Sequence, residues 1–151
     1  MQYNKKAFTL MELLVVISIM TAVLFMSFNF FSKFSKKDAL EKDVAGLVAL
    51  IRNARLLSVV SKNASPYGIH LQSDKAVLFE GSAYSPGGTN QKVFEFSKEV
   101  YMSGYKLNQG TPDIVFSRLT GSTLNYGTTT LSLKDNSTST VVTILPTGVI
   151  Q

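Results

Sequence analysis

The chain lacks cysteine altogether and contains a single histidine, His70, among its 151 residues. Without cysteine it can form neither a disulfide nor an acylated-cysteine lipoprotein anchor, so a folded domain must rely on its packed core. The sequence also lacks clustered metal ligands, a phosphate-cradling glycine loop and carboxylates paired at helical spacing. We therefore predict that the protein is not an enzyme and uses no metal or cofactor.

The lone histidine does not change that prediction. Asp74 follows His70 four residues later, but no nucleophile motif accompanies the two residues. The pattern indicates a histidine on the surface or on an edge strand.

Proline is absent between Phe8 and Asn63, and Gly46 is the only glycine in that interval. Because proline and glycine are the usual helix breakers, the sequence predicts one helix from Phe8 to about Ser61. In its second half, apolar residues recur at alternating steps of four and three, which is the stripe of an amphipathic helix. The stripe residues are Leu40, Val44, Leu47, Ile51 and Ala54.

The first half of this helix is apolar throughout. Residues 8–31 carry one charge, that of Glu12, and Lys5 and Lys6 precede them. The run is long enough to span a bilayer as a helix. A secretory signal would have a shorter apolar core and a small-residue cleavage site after it, and this sequence has neither. We predict a membrane-anchored N-terminus.

Glu12 needs an explanation, because a carboxylate in an apolar helix is costly. A capping box with Thr9 is one explanation, since the two residues have the required spacing. Chance tolerance at the membrane interface is a second. A specific cationic partner is a third, and a cut between Ala7 and Phe8 would supply one by freeing an α-amino group one helical turn away.

The string FTLMELLVV after the basic leader and Ala7 resembles the class III signal of type IV pilins and pseudopilins. The resemblance implies cleavage between Ala7 and Phe8 by a prepilin peptidase and N-methylation of Phe8. It also implies that Glu12 pairs with the N-terminal amine of an adjacent subunit during assembly. Ala7 stands where the family usually has glycine, and alanine is small enough for a peptidase pocket.

After Asn63 the composition shifts to serine, threonine, glycine and β-branched residues, with short apolar stretches between turn clusters. The predicted strands are Tyr67 to Gln72, Ala76 to Glu80, Lys92 to Phe96, Ile114 to Ser117, Thr129 to Leu133 and Thr140 to Leu145. A sheet packed against the helix stripe would give one core. The predicted fold class is α+β, with a long N-terminal helix on an antiparallel β-sheet.

The expected organisation has four parts. These are a leader at residues 1–7, a transmembrane half of the helix at 8–31, an amphipathic half at 32–62 and a β-rich domain at 63–151. The positive-inside rule does not decide the orientation. The short leader and the family resemblance favour a single pass through the inner membrane, with the N-terminus cytoplasmic and the domain periplasmic or otherwise extracytoplasmic.

The stretches VAGLVALIRNARLLSVVSKN, YGIHL, IVFSRLTG and VVTILPTGVIQ resemble the GspH and FimT group of pseudopilins and minor pilins. This resemblance implies a pilin-like fold and a structural subunit of a type II secretion pseudopilus or a type IV pilus. The implied partners are other pilin subunits, the prepilin peptidase, the inner-membrane assembly platform and the membrane itself.

Two alternatives stay open. The first is a DNA-binding minor pilin of natural transformation, in which Arg52, Arg55 and Lys62 would make weak nucleic-acid contacts. A net charge of +5 is a mild excess, and the tail after Gly148 carries no charge, so nucleic acid is the less favoured partner. The second alternative is an anchored β domain with an unrelated ligand, which predicts an uncleaved N-terminus.

Overall fold

The N-terminal half of the chain is dominated by one helix, as the sequence predicts. In the structure, a computed structural model, the described residues are 8–151, without the side chains of 26–33. Helix α1 (Leu10–Val59) has 50 residues. A short 3-10 turn (Lys62–Ala64) follows it, after Ser61 adopts a left-handed conformation. The chain divides into two compact units, Met1–Ser35 and Lys36–Gln151.

The second unit contains seven strands in two antiparallel sheets. The strands are β1 (Tyr67–Leu71), β2 (Lys75–Glu80), β3 (Lys92–Glu95), β4 (Val100–Leu107), β5 (Asp113–Phe116), β6 (Gly127–Leu133) and β7 (Ser139–Ile144). The first sheet has the order β3-β2-β1-β5 and the second has the order β4-β6-β7. The α+β prediction is therefore confirmed, with two sheets where one was expected.

Strand β4 has no counterpart among the six predicted strands. Its sequence, VYMSGYKL, places Gly104 in the strand, and the pairing with β6 shifts register between Met102 and Gly104. A bulge adds a residue to one strand and interrupts the alternation of faces. The apolar alternation that reveals a strand is consequently broken in the middle of this one.

One hydrophobic core joins the helix to both sheets. Leu40, Leu47, Ile51 and Ala54 of the predicted stripe are buried, and Val44 packs against them partly buried. The same cluster contains inner-face residues of the first sheet, among them Ile69, Leu78 and Ile114, and of the second, among them Leu131, Val142 and Ile144. The ring of Phe94 lies over Gly46, where an added Cβ would come within 2.2 Å of it.

A buried carboxylate fastens the helix to the connection between the two sheets. Asp43 is buried, and its Oδ2 accepts a hydrogen bond of 2.6 Å from the backbone N–H of Ser97. Its Oδ1 lies 3.1 Å from Ser97 Oγ, which donates to it. Ser97 begins the turn between β3 and β4, since the N–H of Val100 donates to its carbonyl. Asp43 thereby fixes the chain where it leaves the first sheet for the second.

The end of the helix is attached in a similar way. Ser58 is buried, and its hydroxyl accepts a 2.8 Å hydrogen bond from the backbone N–H of Tyr67 at the start of β1. The carbonyl of Ser58 also accepts from the N–H of Leu119 in the loop after β5. One serine thus connects the last turn of α1 to two separate parts of the β domain.

Removal of the Asp43 carboxylate should destabilise the domain. We expect Asp43→Ala to lower the free energy of unfolding by about 1–3 kcal/mol, because the partly buried Ser97 N–H loses its acceptor. Asp43→Asn, which keeps one acceptor oxygen, should cost less. Urea unfolding of the full chain in neutral detergent measures the difference. Asp38→Ala, at an exposed position of the same helix, is the matched control, and equal stability of D43A and D38A would contradict the role.

Candidate functional site

The helix begins with a threonine cap. Phe8 and Thr9 precede the first helical residue, and the backbone N–H of Glu12 donates a 3.2 Å hydrogen bond to Thr9 Oγ1. This is the first half of the capping box that the spacing of the two residues predicts. The predicted cleavage position includes Ala7, which lies outside the described residues.

The carboxylate of Glu12 has no partner in this part of the chain. Within residues 8–151 as the structure describes them, no hydrogen bond or ion pair reaches its oxygens, and the side chain is exposed. The cap therefore accounts for the backbone N–H of Glu12, and its charge lies in the first helical turn, where a negative charge is favourable to the helix dipole. Of the three explanations for this acid, the capping box explains only the N–H.

The apolar side chains around Glu12 are exposed on every side of the helix. They are Leu10, Met11, Leu13, Leu14, Val15, Val16, Ile17, Ile19, Met20, Val23, Leu24 and Phe25. The polar side chains among them are satisfied locally, since Ser18 donates to the carbonyl of Leu14 and Thr21 to that of Ile17. A helix that is apolar all round needs an apolar environment. None of the helices within the described residues is both long and apolar enough to cross a membrane.

A second candidate site lies at the other end of the helix. Arg55 Nε donates to the carbonyl of Gly121 and to the carbonyl of Thr147, each at 3.3 Å. These bonds join α1 to the loop after β5 and to the turn after β7. Gly148 has a φ of +76°, and a Cβ there would lie 2.0 Å from the carbonyl oxygen of Gly121, so only glycine fits this approach.

Two of the three predicted basic contact residues meet at this place. Arg52 and Arg55, three residues apart on one side of the helix, line a cavity of about 350 Å³ together with residues of the C-terminal tail. Apolar side chains form most of its wall, namely Leu56, Val59, Val149 and Ile150. Lys62 is exposed on the 3-10 turn and does not line the cavity.

The charged side chains that line this cavity are those of two arginines. The sequence has no acidic residue at positions 44–73, 114–134 or 136–151, which include every segment that forms the wall. The ion pairs among the described residues are Lys36 with Asp135 and Lys37 with Glu41, and the imidazole of His70 contacts the carboxylate of Asp113. Neither Arg52 nor Arg55 takes part in one.

The Asp135 carboxylate, in contrast, is a charge that is paired within this domain. Hydrogen bonds from the hydroxyl and the backbone N–H of Ser137, and then the ammonium of Lys36 at 3.0 Å, lower the pKa of Asp135 to about 2. The pKa of Lys36 is raised in turn by the same contact. The arginines at the cavity have no such partner among the described residues.

His70 lies elsewhere than expected. It belongs to β1, which is an interior strand of the first sheet, and its ring is stacked on that of Tyr84 with centroids 3.9 Å apart. Its Nδ1 donates to Asp113 Oδ1 at 2.5 Å. Asp113 is its register partner on β5, so the contact depends on strand pairing and could not be read from the neighbouring Asp74. The edge-strand alternative is wrong, because β1 pairs with β2 on one side and with β5 on the other. The side chain itself is half-buried.

Comparison with known protein families matches residues 2–28 to the prokaryotic N-terminal methylation motif. This match supports a type IV pilin-like protein that is processed by a prepilin peptidase and that assembles with other pilins. Neither the curated proteins nor the solved structures give a significant match to the chain.

The Arg55 contacts should hold the C-terminal turn in place. We expect Arg55→Gln to lower the free energy of unfolding by about 1–2 kcal/mol, because the carbonyls of Gly121 and Thr147, of which the bond to Gly121 is partly buried, lose a charged donor. Backbone N–H groups of Gly148 and Gln151, which donate to Leu145 and Thr143, should exchange with solvent faster. Hydrogen exchange of the full chain measures this. Arg52→Gln removes an equal charge and is the control, and unchanged exchange in R55Q would contradict the role.

Proposed function

We propose that the protein is a minor pilin or pseudopilin, a structural subunit of a type II secretion pseudopilus or a type IV pilus. The observation that carries the proposal is the match of residues 2–28 to the N-terminal methylation motif. The helix start adds support, since its apolar surface surrounds one carboxylate that has no partner among the described residues. The resemblance of later segments to the GspH and FimT group favours a minor subunit.

Processing is the first step of the proposed mechanism. A prepilin peptidase at the cytoplasmic face of the inner membrane cuts between Ala7 and Phe8, and the new amine of Phe8 is methylated. The subunit then stays in the membrane through its apolar helix, with the β domain outside, until the assembly platform extracts it.

Assembly is the second step. In the filament, the apolar helices of several subunits cover one another, and Glu12 neutralises the N-terminal amine of a neighbour. A charge removed from water is costly unless it is paired, so the contact selects the axial position at which the two groups meet. The mechanism includes no catalysis by this chain, and the β domain presents contact surfaces to other subunits.

A second candidate function is DNA capture by a minor pilin of natural transformation. The juxtaposition of Arg52 and Arg55 with the C-terminal tail favours it, because the helix brings positive charge to a tail that has none. The apolar wall and the distance of Lys62 from the cavity lining make the surface small for a phosphate backbone. Binding of duplex DNA that weakens steeply with added salt would support this candidate.

The mature N-terminus is the direct test of processing. We expect the intact mass of the protein extracted from membranes to correspond to a chain that begins with methylated Phe8. Ala7→Lys should leave the leader attached, because a long charged side chain does not fit a pocket for a small residue. Ala7→Gly is the matched control and should be processed. A mature protein that still begins at Met1 in cells with active peptidase would overturn the assignment.

The role of Glu12 is tested by a substitution that removes its charge and keeps its size. We expect Glu12→Gln to be cleaved normally, yet to be at least about tenfold less abundant in the sheared filament fraction, because a neighbour's amine would be left unpaired in an apolar surrounding. Glu12→Asp, which keeps the charge, should assemble better than E12Q. Immunoblots of filament and membrane fractions measure both. Equal recovery of E12Q and the unsubstituted protein would show that the carboxylate is not paired.

A further inference from the structure

The cavity beside Arg55 is not accounted for by membrane anchoring or by the pairing of Glu12. Its volume of about 350 Å³ lies within the range of ligand-binding pockets. Two guanidinium groups and four aliphatic side chains line it, and Leu56 and Val149 are 58% and 44% exposed. The cavity therefore combines positive charge with exposed apolar surface.

Arg55 is positioned in advance for a ligand. Its Nε donates to the carbonyls of Gly121 and Thr147, which restrains the side chain. The two terminal nitrogens make no hydrogen bond or ion pair given for the described residues, and they can donate to another acceptor. Arginine forks match planar carboxylates in a bidentate geometry, and an already restrained side chain loses less entropy on binding. Arg52 supplies a second cation from the preceding turn of the same helix.

The chemistry of the wall distinguishes among anions. A phosphate group is polar on all sides and makes no use of Leu56, Val59, Val149 and Ile150, whereas a carboxylate next to aliphatic side chains uses both parts of the cavity. Nucleic-acid sites also need several cations along a backbone, and Lys62 is not part of this lining. The segments that form the wall contain no acidic side chain, so none of these segments supplies a side-chain counter-charge to the two arginines.

We propose that this cavity is a docking site for a segment of a partner subunit that carries a glutamate or aspartate flanked by aliphatic residues. Its carboxylate binds Arg52 and Arg55, and the aliphatic side chains cover Leu56 and Val149. The identification of the partner as a filament subunit rests on the proposed function, while the binding chemistry does not.

The test uses the full chain in neutral detergent with ¹⁵N-labelled arginine. The probe is the peptide acetyl-Ala-Leu-Glu-Ile-Ala-amide, and the same peptide with glutamine is its neutral counterpart. We expect the glutamate peptide to shift the Nε–H resonances of Arg52 and Arg55 in a saturable manner. The glutamine peptide should bind about tenfold more weakly, which corresponds to about 1.4 kcal/mol.

Two substitutions locate the site. Arg52→Gln, at an exposed position without a structural hydrogen bond among the described residues, should weaken binding of the glutamate peptide about tenfold and leave the helix content unchanged. Lys62→Gln removes the same charge outside the cavity lining and should have no effect. Loss of binding in both variants to the same degree would indicate attraction by net charge and would overturn the proposal.

Other outcomes also decide the matter. Equal binding of the two peptides, or no shift with either, would overturn the proposal. Tighter binding of inorganic phosphate or of duplex DNA than of the glutamate peptide would overturn it in favour of a phosphate site. A positive titration together with an unprocessed N-terminus would retain the site and remove the pilin assignment, whereas a negative titration leaves the tests of cleavage and of Glu12 untouched.

Discussion

Burial of one helix stripe is the interaction on which the β domain depends. Leu40, Leu47, Ile51 and Ala54 lie in the same cluster as the inner faces of two sheets that share no strand. The two sheets have four and three strands, and each contributes one layer of side chains to the core. Since a small sheet is marginal without a packed face, the second half of α1 supplies the common surface that makes the two sheets one domain.

The polar contacts of this helix determine where the chain can cross between those sheets. Asp43 is hydrogen-bonded to the turn between β3 and β4, Ser58 to the start of β1, and Arg55 to the turn after β7. Hydrophobic burial is not directional, so it does not by itself determine the position of a strand along the helix. Hydrogen bonds to single backbone groups do so, and all three are made by side chains of α1.

The sequence predicted those parts of the fold that depend on local pattern. The alternating steps of four and three between apolar residues predicted the buried stripe, and the absence of proline predicted the long helix. Strand β4 was not predicted, because its bulge near Gly104 interrupts the alternation of apolar and polar residues. The division into two sheets was not predictable, since it depends on pairings between residues far apart in the chain, such as those of β1 with β5.

The candidate sites also differ in whether a local sequence pattern can identify them. The signal around Glu12 is contiguous, so a sequence motif identifies it. The partner of His70 was assigned no role from sequence because Asp113 is 43 residues away and meets it only across two paired strands. Arg52, Arg55 and Lys62 were predicted together as basic contact residues, but Lys62 lies beyond the helix. The position of the two arginines against the C-terminal tail results from packing, and no local pattern predicts it.

Both sites have one physical property in common, which is a charged side chain next to apolar side chains that takes part in no ion pair among the described residues. Such a charge costs little while water reaches it, as it does for an isolated subunit. When another molecule covers the apolar surface, water is removed, and the charge then requires an opposite charge at the right place. A partner that is apolar but lacks this charge is rejected, because the free energy gained by burial is offset by desolvation. Charges of this kind therefore contribute more to the choice of partner and register than to affinity, which is what a subunit that must occupy one position in an assembly requires.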